Sequence, residues 1–128
     1  MPYHVSKSEF ARLVQQALSE LPPQFARFLE EVPVEIRDRP SPKLLRKLGM
    51  DQDDLLLGLY QGPSLMDRSE IEGRGTPTLN HILIFQEDIE LVSESEQDLI
   101  REIRTTVLHE LGHHFGMTER DLDELGYG

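Results

Sequence analysis

Two histidines and a glutamate near the carboxyl end of the chain have the types and spacing of a metal-dependent hydrolytic site. His109 and His113 are four residues apart, and Glu110 directly follows the first, in the pattern H-E-x-x-H. Residues four apart in a helix point the same way one turn apart, so both imidazoles can bind one ion. A bound metal lowers the pKa of a water molecule, and a neighbouring carboxylate can then take its proton. The pattern predicts a zinc site with Glu110 as general base.

The helix that carries this motif has two distinct faces. Three polar residues on one helix face also occur on ordinary solvated helices, so the surrounding residues decide between the two interpretations. At about 100° per residue, His109 and His113 lie opposite a broad apolar sector, with Glu110 at its edge. The apolar residues of that sector are Leu99, Ile100, Ile103, Val107, Leu108 and Leu111. One face packs and the other presents ligands, which favours the metal site.

A third protein ligand must come from the few residues that follow the motif. Catalytic zinc usually has three protein ligands and one open position, and the chain has no cysteine to supply one. Gly116 can end the helix in the left-handed conformation, so Glu119 is the first carboxylate able to return to the metal. Asp121 is the alternative, although Thr118 and Asp121 also match a capping box. The later carboxylates Asp123 and Glu124, or a water molecule, also stay open as the third ligand.

The extended pattern His109-Glu110-x-x-His113-x-x-Gly116-x-x-Glu119 resembles the zincin signature, whose last position is His or Asp. The stretch 109–127 and the segment Leu-Leu-Gly-Leu-Tyr-Gln-Gly at 56–62 are similar to a family of small bacterial zincin-like metallopeptidases. This resemblance implies a compact zincin fold with the active-site helix beneath a small sheet, bound Zn2+ and peptidase activity. Two features depart from the wider signature: Glu119 replaces His or Asp, and Met117 lies too close to the helix to form a Met-containing turn.

Helical periodicity and its terminators define the elements around this site. Ser6 with Glu9 predicts a capped amphipathic helix through Leu21. Further short helices are predicted at Gln24–Glu31 and Lys43–Leu48, the last closed by Gly49. Ser93 or Ser95 caps the long helix that carries the motif and runs to about Phe115.

Strand-like alternation or apolar runs occupy the middle of the chain. The predicted strands are Val32–Ile36, Leu55–Tyr60 and Leu79–Phe85, and residues 64–77 are predicted to form a loop. The order of helix, strands and helix predicts an α+β, zincin-like fold in one domain, 1–128. A small mixed sheet would pack against an N-terminal helix and a C-terminal active-site helix.

Composition restricts the class of partner. A net charge of −11 disfavours nucleic acid, and no apolar run is long enough to span a membrane. With neither cysteines nor a secretory signal, we expect a cytoplasmic protein that acts on peptides or proteins. A zinc- or peptide-binding module without turnover is the alternative, but retention of Glu110 argues against it. A metal-dependent ribonuclease is a second alternative, opposed by the acidity and by Glu119 where that class has histidine. The oligomeric state stays open.

Several other residues have both a functional and a structural interpretation. His114 is expected to pack near the core, and His81 to lie in a strand with a structural role or at the cleft. Tyr127 can stabilise an oxyanion or simply pack. The strand Leu79–Phe85 is the candidate edge for pairing with an extended peptide, although burial explains its apolar character equally well. His4 is expected in a frayed terminus.

Overall fold

The computed structural model describes residues 2–62, 80–114, 116 and 118–124, with the side chains of residues 114, 119 and 122 outside this description. In these residues helices precede, interrupt and follow a small sheet, as expected for an α+β fold. The elements are α1 (Lys7–Ser19), α2 (Pro23–Glu31), β1 (Val34–Arg37), α3 (Pro42–Lys47), β2 (Gly58–Gln61), β3 (His81–Phe85), α4 (Gln86–Leu91), α5 (Glu96–His114) and α6 (Glu119–Glu124).

The three described strands form a mixed sheet in the order β1-β3-β2. β1 pairs parallel to β3, with Val34 opposite Ile82, and β2 pairs antiparallel to β3, with Leu59 opposite Leu83. The prediction that Leu79–Phe85 supplies the sheet edge is wrong, because β3 lies between the other two strands. Its residues after His81 are all buried, so burial explains their continuous apolar character. Among the described strands, β2 is the edge nearest the motif helix.

Strands β1 and β2 begin later than the sequence predicts because residues at the predicted start of each one make hydrogen bonds outside the sheet. Val32 caps α2, its N–H donating to the Phe28 carbonyl at 2.9 Å. The N–H of Leu56 donates to Oδ2 of Asp88 at 2.9 Å, so regular pairing of β2 starts at Gly58. The predicted loop 64–77 lies outside the described residues.

The N-terminal segment is attached to the domain, so the prediction that His4 is frayed is wrong. Glu90 is almost fully buried in α4. Its carboxylate is hydrogen-bonded to His4 and Val5, the two residues before the Ser6 cap of α1. Its Oε2 accepts from the Val5 N–H at 2.8 Å, and its Oε1 lies 3.1 Å from Nδ1 of His4. Ser6 then caps α1 as predicted, accepting from the Glu9 N–H at 3.1 Å.

The sequence analysis does not predict helix α4. This helix determines which of the two predicted serines caps α5. The buried Ser93 closes α4 by donating to the Ile89 carbonyl at 2.8 Å. Ser95 caps α5, accepting from the Asp98 N–H at 3.1 Å. Of the two predicted caps, Ser95 is therefore the one used, because Ser93 is committed to the preceding helix.

One hydrophobic core joins α1, the sheet and α5. Helix α1 packs along α5, and α5 also packs against β2 and β3. The buried residues at this junction include Phe10, Leu13, Ala17, Ile82, Ile84, Leu99, Ile103, Val107, Leu108 and Leu111. Because α5 is fixed by this core on one side, the position of its opposite side chains is set by packing. None of the described helices combines the length and apolar character needed to cross a bilayer.

Candidate active site

Helix α5 separates core residues from motif residues as its periodicity predicts. Val107, Leu108 and Leu111 have no exposed surface, whereas His109 and Glu110 are half-buried and His113 is exposed. The motif side chains therefore lie at a boundary between core and solvent. Such a boundary admits a substrate while limiting the water around the reacting groups.

Glu110 is held in place by the edge of the sheet. Its Oε1 accepts a hydrogen bond from the backbone N–H of Tyr60 in β2, at 2.8 Å. A backbone N–H donor to a carboxylate fixes the orientation of that carboxylate. One oxygen of Glu110 is thus occupied by the scaffold. The phenol of Tyr60 is itself half-buried, and burial raises the pKa of Tyr60 above its ordinary value.

The pairing of β2 shows which of its backbone groups face outward. The Phe85 N–H donates to the Leu57 carbonyl at 3.0 Å, so Leu57 and then Leu59 exchange hydrogen bonds with β3. In an antiparallel ladder the intervening residues direct their N–H and C=O groups the other way. Gly58 and Tyr60 therefore present backbone groups at the outer edge of the sheet. Glu110 takes one of them, the Tyr60 N–H.

A close contact between β2 and α5 fixes their relative position. A Cβ at Gly58 would collide with Cγ2 of Thr106 and would also lie 3.1 Å from the Leu83 carbonyl oxygen. Only glycine lets the strand approach the helix this closely. Since Gly58 lies beside Thr106 and Tyr60 beside Glu110, β2 and α5 run in the same direction along each other.

A cleft of about 310 Å³ opens between this strand and the helix. Its lining includes Leu57 and Gly58 on one side and five residues of α5 on the other: Glu102, Thr105, Thr106, His109 and Glu110. Two of the three motif side chains thus border a space large enough for a few atoms of an extended chain. The site is a groove rather than a closed chamber.

The two histidines are close enough to bind one ion after a small adjustment. Their ring centres lie 6.1 Å apart with the planes inclined at 63°. Two imidazoles on one tetrahedral zinc, at Zn–N distances of about 2.1 Å, would have ring centres roughly 5 Å apart. Side-chain rotations that shorten the distance between the ring centres by about 1 Å bring the rings to that spacing, and imidazole nitrogens suit zinc. The pair of donors therefore fits the ion.

The third ligand falls at the margin of the described residues. Among the described side chains no third imidazole or carboxylate completes the group. Glu119, the predicted ligand, begins α6, and its side chain is outside the description. Gly116 adopts the predicted left-handed conformation, with φ of 80°, and turns the chain after α5. The third ligand stays a prediction.

Asp121, the alternative ligand, takes part in the capping box that its spacing predicts. Its Oδ2 accepts from the Thr118 N–H at 2.9 Å, and its own N–H donates to Oγ1 of Thr118 at 3.1 Å. This reciprocal pair directs the Asp121 carboxylate to the start of α6. The arrangement leaves Glu119 as the better candidate of the two.

Of the other singled-out residues, only His81 has a described side chain within the sheet. Its Nε2 lies 3.2 Å from Oε1 of Gln61 and 3.8 Å from Oε2 of Glu35, on the strands at either side. These contacts agree with a structural role. Tyr127 and the side chain of His114 lie outside the described residues.

Two components of the site were not found from the sequence. The Tyr60 N–H is invisible to residue-type reasoning because every residue other than proline has a backbone N–H. Glu102 has a signal that was available: it lies seven residues before His109, which is two helical turns on the same face. Sequence alone does not show that a cleft reaches so far.

An α+β domain with an H-E-x-x-H helix beneath the edge of a small sheet has the architecture of a zincin. A sequence profile of zincin-like metallopeptidases matches residues 29–128, and the chain belongs to this family. The resemblance predicted from the motif is thereby confirmed, and family membership implies zinc binding.

One solved structure supports the same fold. It is a conserved hypothetical protein from Thermo thermophilus, with a TM-score of 0.53 and 24% identity over 86% of this chain and 94% of that one. At this level of identity the likeness concerns the fold alone. No curated protein matches the chain significantly.

Proposed function

We propose that this protein is a zinc-dependent peptidase in which His109, His113 and Glu119 hold the metal and Glu110 is the general base. One observation carries the proposal above all: Glu110 lines a cleft together with His109, and its carboxylate is anchored by the Tyr60 N–H. A carboxylate with only a surface role needs neither the cleft nor the anchor.

The two oxygens of Glu110 have different tasks in this proposal. Zinc, when bound, acidifies a water molecule and polarises the scissile carbonyl. Oε1 stays hydrogen-bonded to the Tyr60 N–H and keeps the carboxylate aligned. Oε2 accepts the proton of the attacking water and later delivers it to the leaving amine nitrogen. Because the scaffold holds Glu110 before substrate arrives, little reorganisation is needed during the proton transfer.

The outer edge of β2 suits an extended peptide. Gly58 directs its N–H and C=O away from β3, beside the cleft, where a substrate strand can add to the sheet. The missing side chain at Gly58 also keeps that edge close to α5. Edge pairing uses the backbone that every peptide has, so it supports a peptide or protein substrate.

The proposal is tested with the zinc-loaded protein, fluorescently labelled casein and a structured RNA. Glu110→Gln should retain zinc and the folded state but lose about 10²–10⁴-fold in the rate of casein hydrolysis, because only the base is removed. Glu96→Gln is the matched control, since Glu96 lies on the same helix and pairs with Arg12 rather than the cleft. Unchanged hydrolysis by Glu110→Gln would reject the mechanism. Zinc-dependent cleavage of RNA in place of casein would support the ribonuclease alternative.

A further inference from the structure

Glu102 is a carboxylate of the cleft that the hydrolytic mechanism does not use. It is half-buried in α5 and lines the same cleft as His109 and Glu110. Seven residues separate Glu102 from His109, which places it about 10 Å along the helix on the same face. That distance corresponds to roughly three residues of an extended peptide.

The neighbouring charged side chains of α5 have partners, whereas Glu102 has none among the described residues. Asp98 pairs with Arg101 at its own end of the helix, and Arg104 donates to Glu20 at 3.0 Å. Among the described residues, no hydrogen bond or ion pair is made by the Glu102 carboxylate. A half-buried carboxylate without a partner is incompletely compensated for its lost solvation. It is therefore available to a group that enters the cleft.

The remaining lining at this end of the cleft is neutral, so Glu102 sets the sign of the charge there. Leu57, Gly58, Thr105 and Thr106 are neutral, and no lysine or arginine of the described residues lines it. A cleft lined by one sign of charge concentrates ligands of the opposite sign. An ammonium or guanidinium group is the complement of Glu102, and a second carboxylate would be repelled.

The direction of β2 decides which side of the scissile bond approaches Glu102. Along β2, Tyr60 lies beside Glu110, and Gly58 lies beside Thr106, one turn nearer to Glu102. A substrate paired antiparallel with β2 runs from the Glu110 end towards the Glu102 end. Residues on the carboxyl side of the scissile bond therefore pass Glu102.

We propose that Glu102 is a specificity-determining residue that selects a lysine or arginine within three positions on the carboxyl side of the scissile bond. This inference rests on the proposed peptidase function, whose active-site groups fix the position of the bond. It explains how a small domain with an open groove can discriminate among peptides that all present the same backbone.

The test uses fluorogenic peptides that differ at one position after the cleaved bond, carrying lysine, norleucine or glutamate. Norleucine matches the length of lysine without its charge. For the zinc-loaded protein we expect kcat/KM to favour lysine over norleucine by about tenfold, the size of one hydrogen bond to a charged group. Glu102→Gln should abolish this ratio, and Glu102→Lys should favour the glutamate peptide. Glu96→Gln, which removes the same charge outside the cleft, should leave the ratio unchanged.

A binding measurement separates this inference from the proposed function. In Glu110→Gln protein, fluorescence anisotropy should show tighter binding of the labelled lysine peptide than of the norleucine peptide, and the further change Glu102→Gln should remove the difference. Hydrolysis with no dependence on Glu102 would overturn the specificity and leave the peptidase standing. Glu102-dependent binding without hydrolysis by the wild type would do the reverse. A lysine preference on the amino side of the bond would overturn the antiparallel placement.

Discussion

The proposed zinc ligands His109 and His113 can bind a cation only as neutral imidazoles, since protonation removes the lone pair that binds the metal. We expect the wild type to bind one zinc near pH 7 and His109→Ala to lose it, because one turn of helix separates two proposed donors that would act together. Elemental analysis after gel filtration measures the stoichiometry. His81→Ala is the control, because His81 contacts Gln61 and Glu35 across the sheet. Undiminished zinc in His109→Ala would exclude this site.

Glu119 and Asp121 are distinguished by what each variant should lose. Glu119→Ala should weaken zinc binding by about tenfold or more, by analogy with the effects of residues that support metal ligands. Asp121→Ala should mainly lower thermal stability, because its carboxylate accepts the Thr118 N–H at the start of α6. Competition with a chromogenic chelator gives the zinc affinities. The opposite pattern of losses would assign the ligand to Asp121.

At the scale of elements, the contact between β2 and α5 places Glu110, the cleft and the sheet edge relative to one another. Gly58→Ala should destabilise the fold by about 1–3 kcal/mol, the usual cost of overpacking, because the new Cβ meets Cγ2 of Thr106. Thr106→Ser deletes that methyl group and should recover part of the loss in the double variant. Chemical denaturation of the two single variants and the double variant completes the cycle. Strict additivity of the single effects would show that the two groups do not meet.

The contact between β2 and α5 affects both the stability of the fold and the shape of the cleft. Leu57 and Gly58 form the cleft wall opposite α5. Asp88 also helps to position this wall, because its Oδ2 accepts a hydrogen bond from the N–H of Leu56, the residue just before Leu57. Asp88 has no exposed surface, and its Oδ1 lies 3.8 Å from Nε of Arg39. A buried carboxylate in a neighbouring helix thus helps to fix the segment that leads into β2.

At the scale of the whole molecule, zinc should act as a stabilising ligand because its proposed donors lie in α5 and in the chain that follows it. At a free zinc concentration 100 times the Kd, binding adds about 2.7 kcal/mol of stability, which raises the Tm of a domain this size by roughly 10 °C. Differential scanning calorimetry with and without a chelator measures the shift. His109→Ala should show no zinc-dependent shift. An equal shift in that variant would place the stabilising ion elsewhere.

The sequence of α5 by itself determines which of its residues face the core and which face away from it. The apolar period of 3.6 places Leu99, Ile103 and Val107 in the core, and the same arithmetic directs His109 away from it. These are local consequences of helix geometry, so they hold before any partner is known. The turn at Gly116 is local as well. For the same reason the family could be inferred from a short motif.

Tertiary structure alone decided which strand forms the edge and what anchors Glu110. The apolar run in β3 is consistent with an edge or a central strand, and only its pairing on both sides makes it central. Tyr60 and Glu110 are 50 residues apart, and no residue type in the sequence predicts the hydrogen bond between the Tyr60 N–H and the Glu110 carboxylate. Glu102 became a candidate because a distant glycine lets β2 approach the helix there. Long-range packing joins these groups, and sequence periodicity reports only the face on which each residue lies.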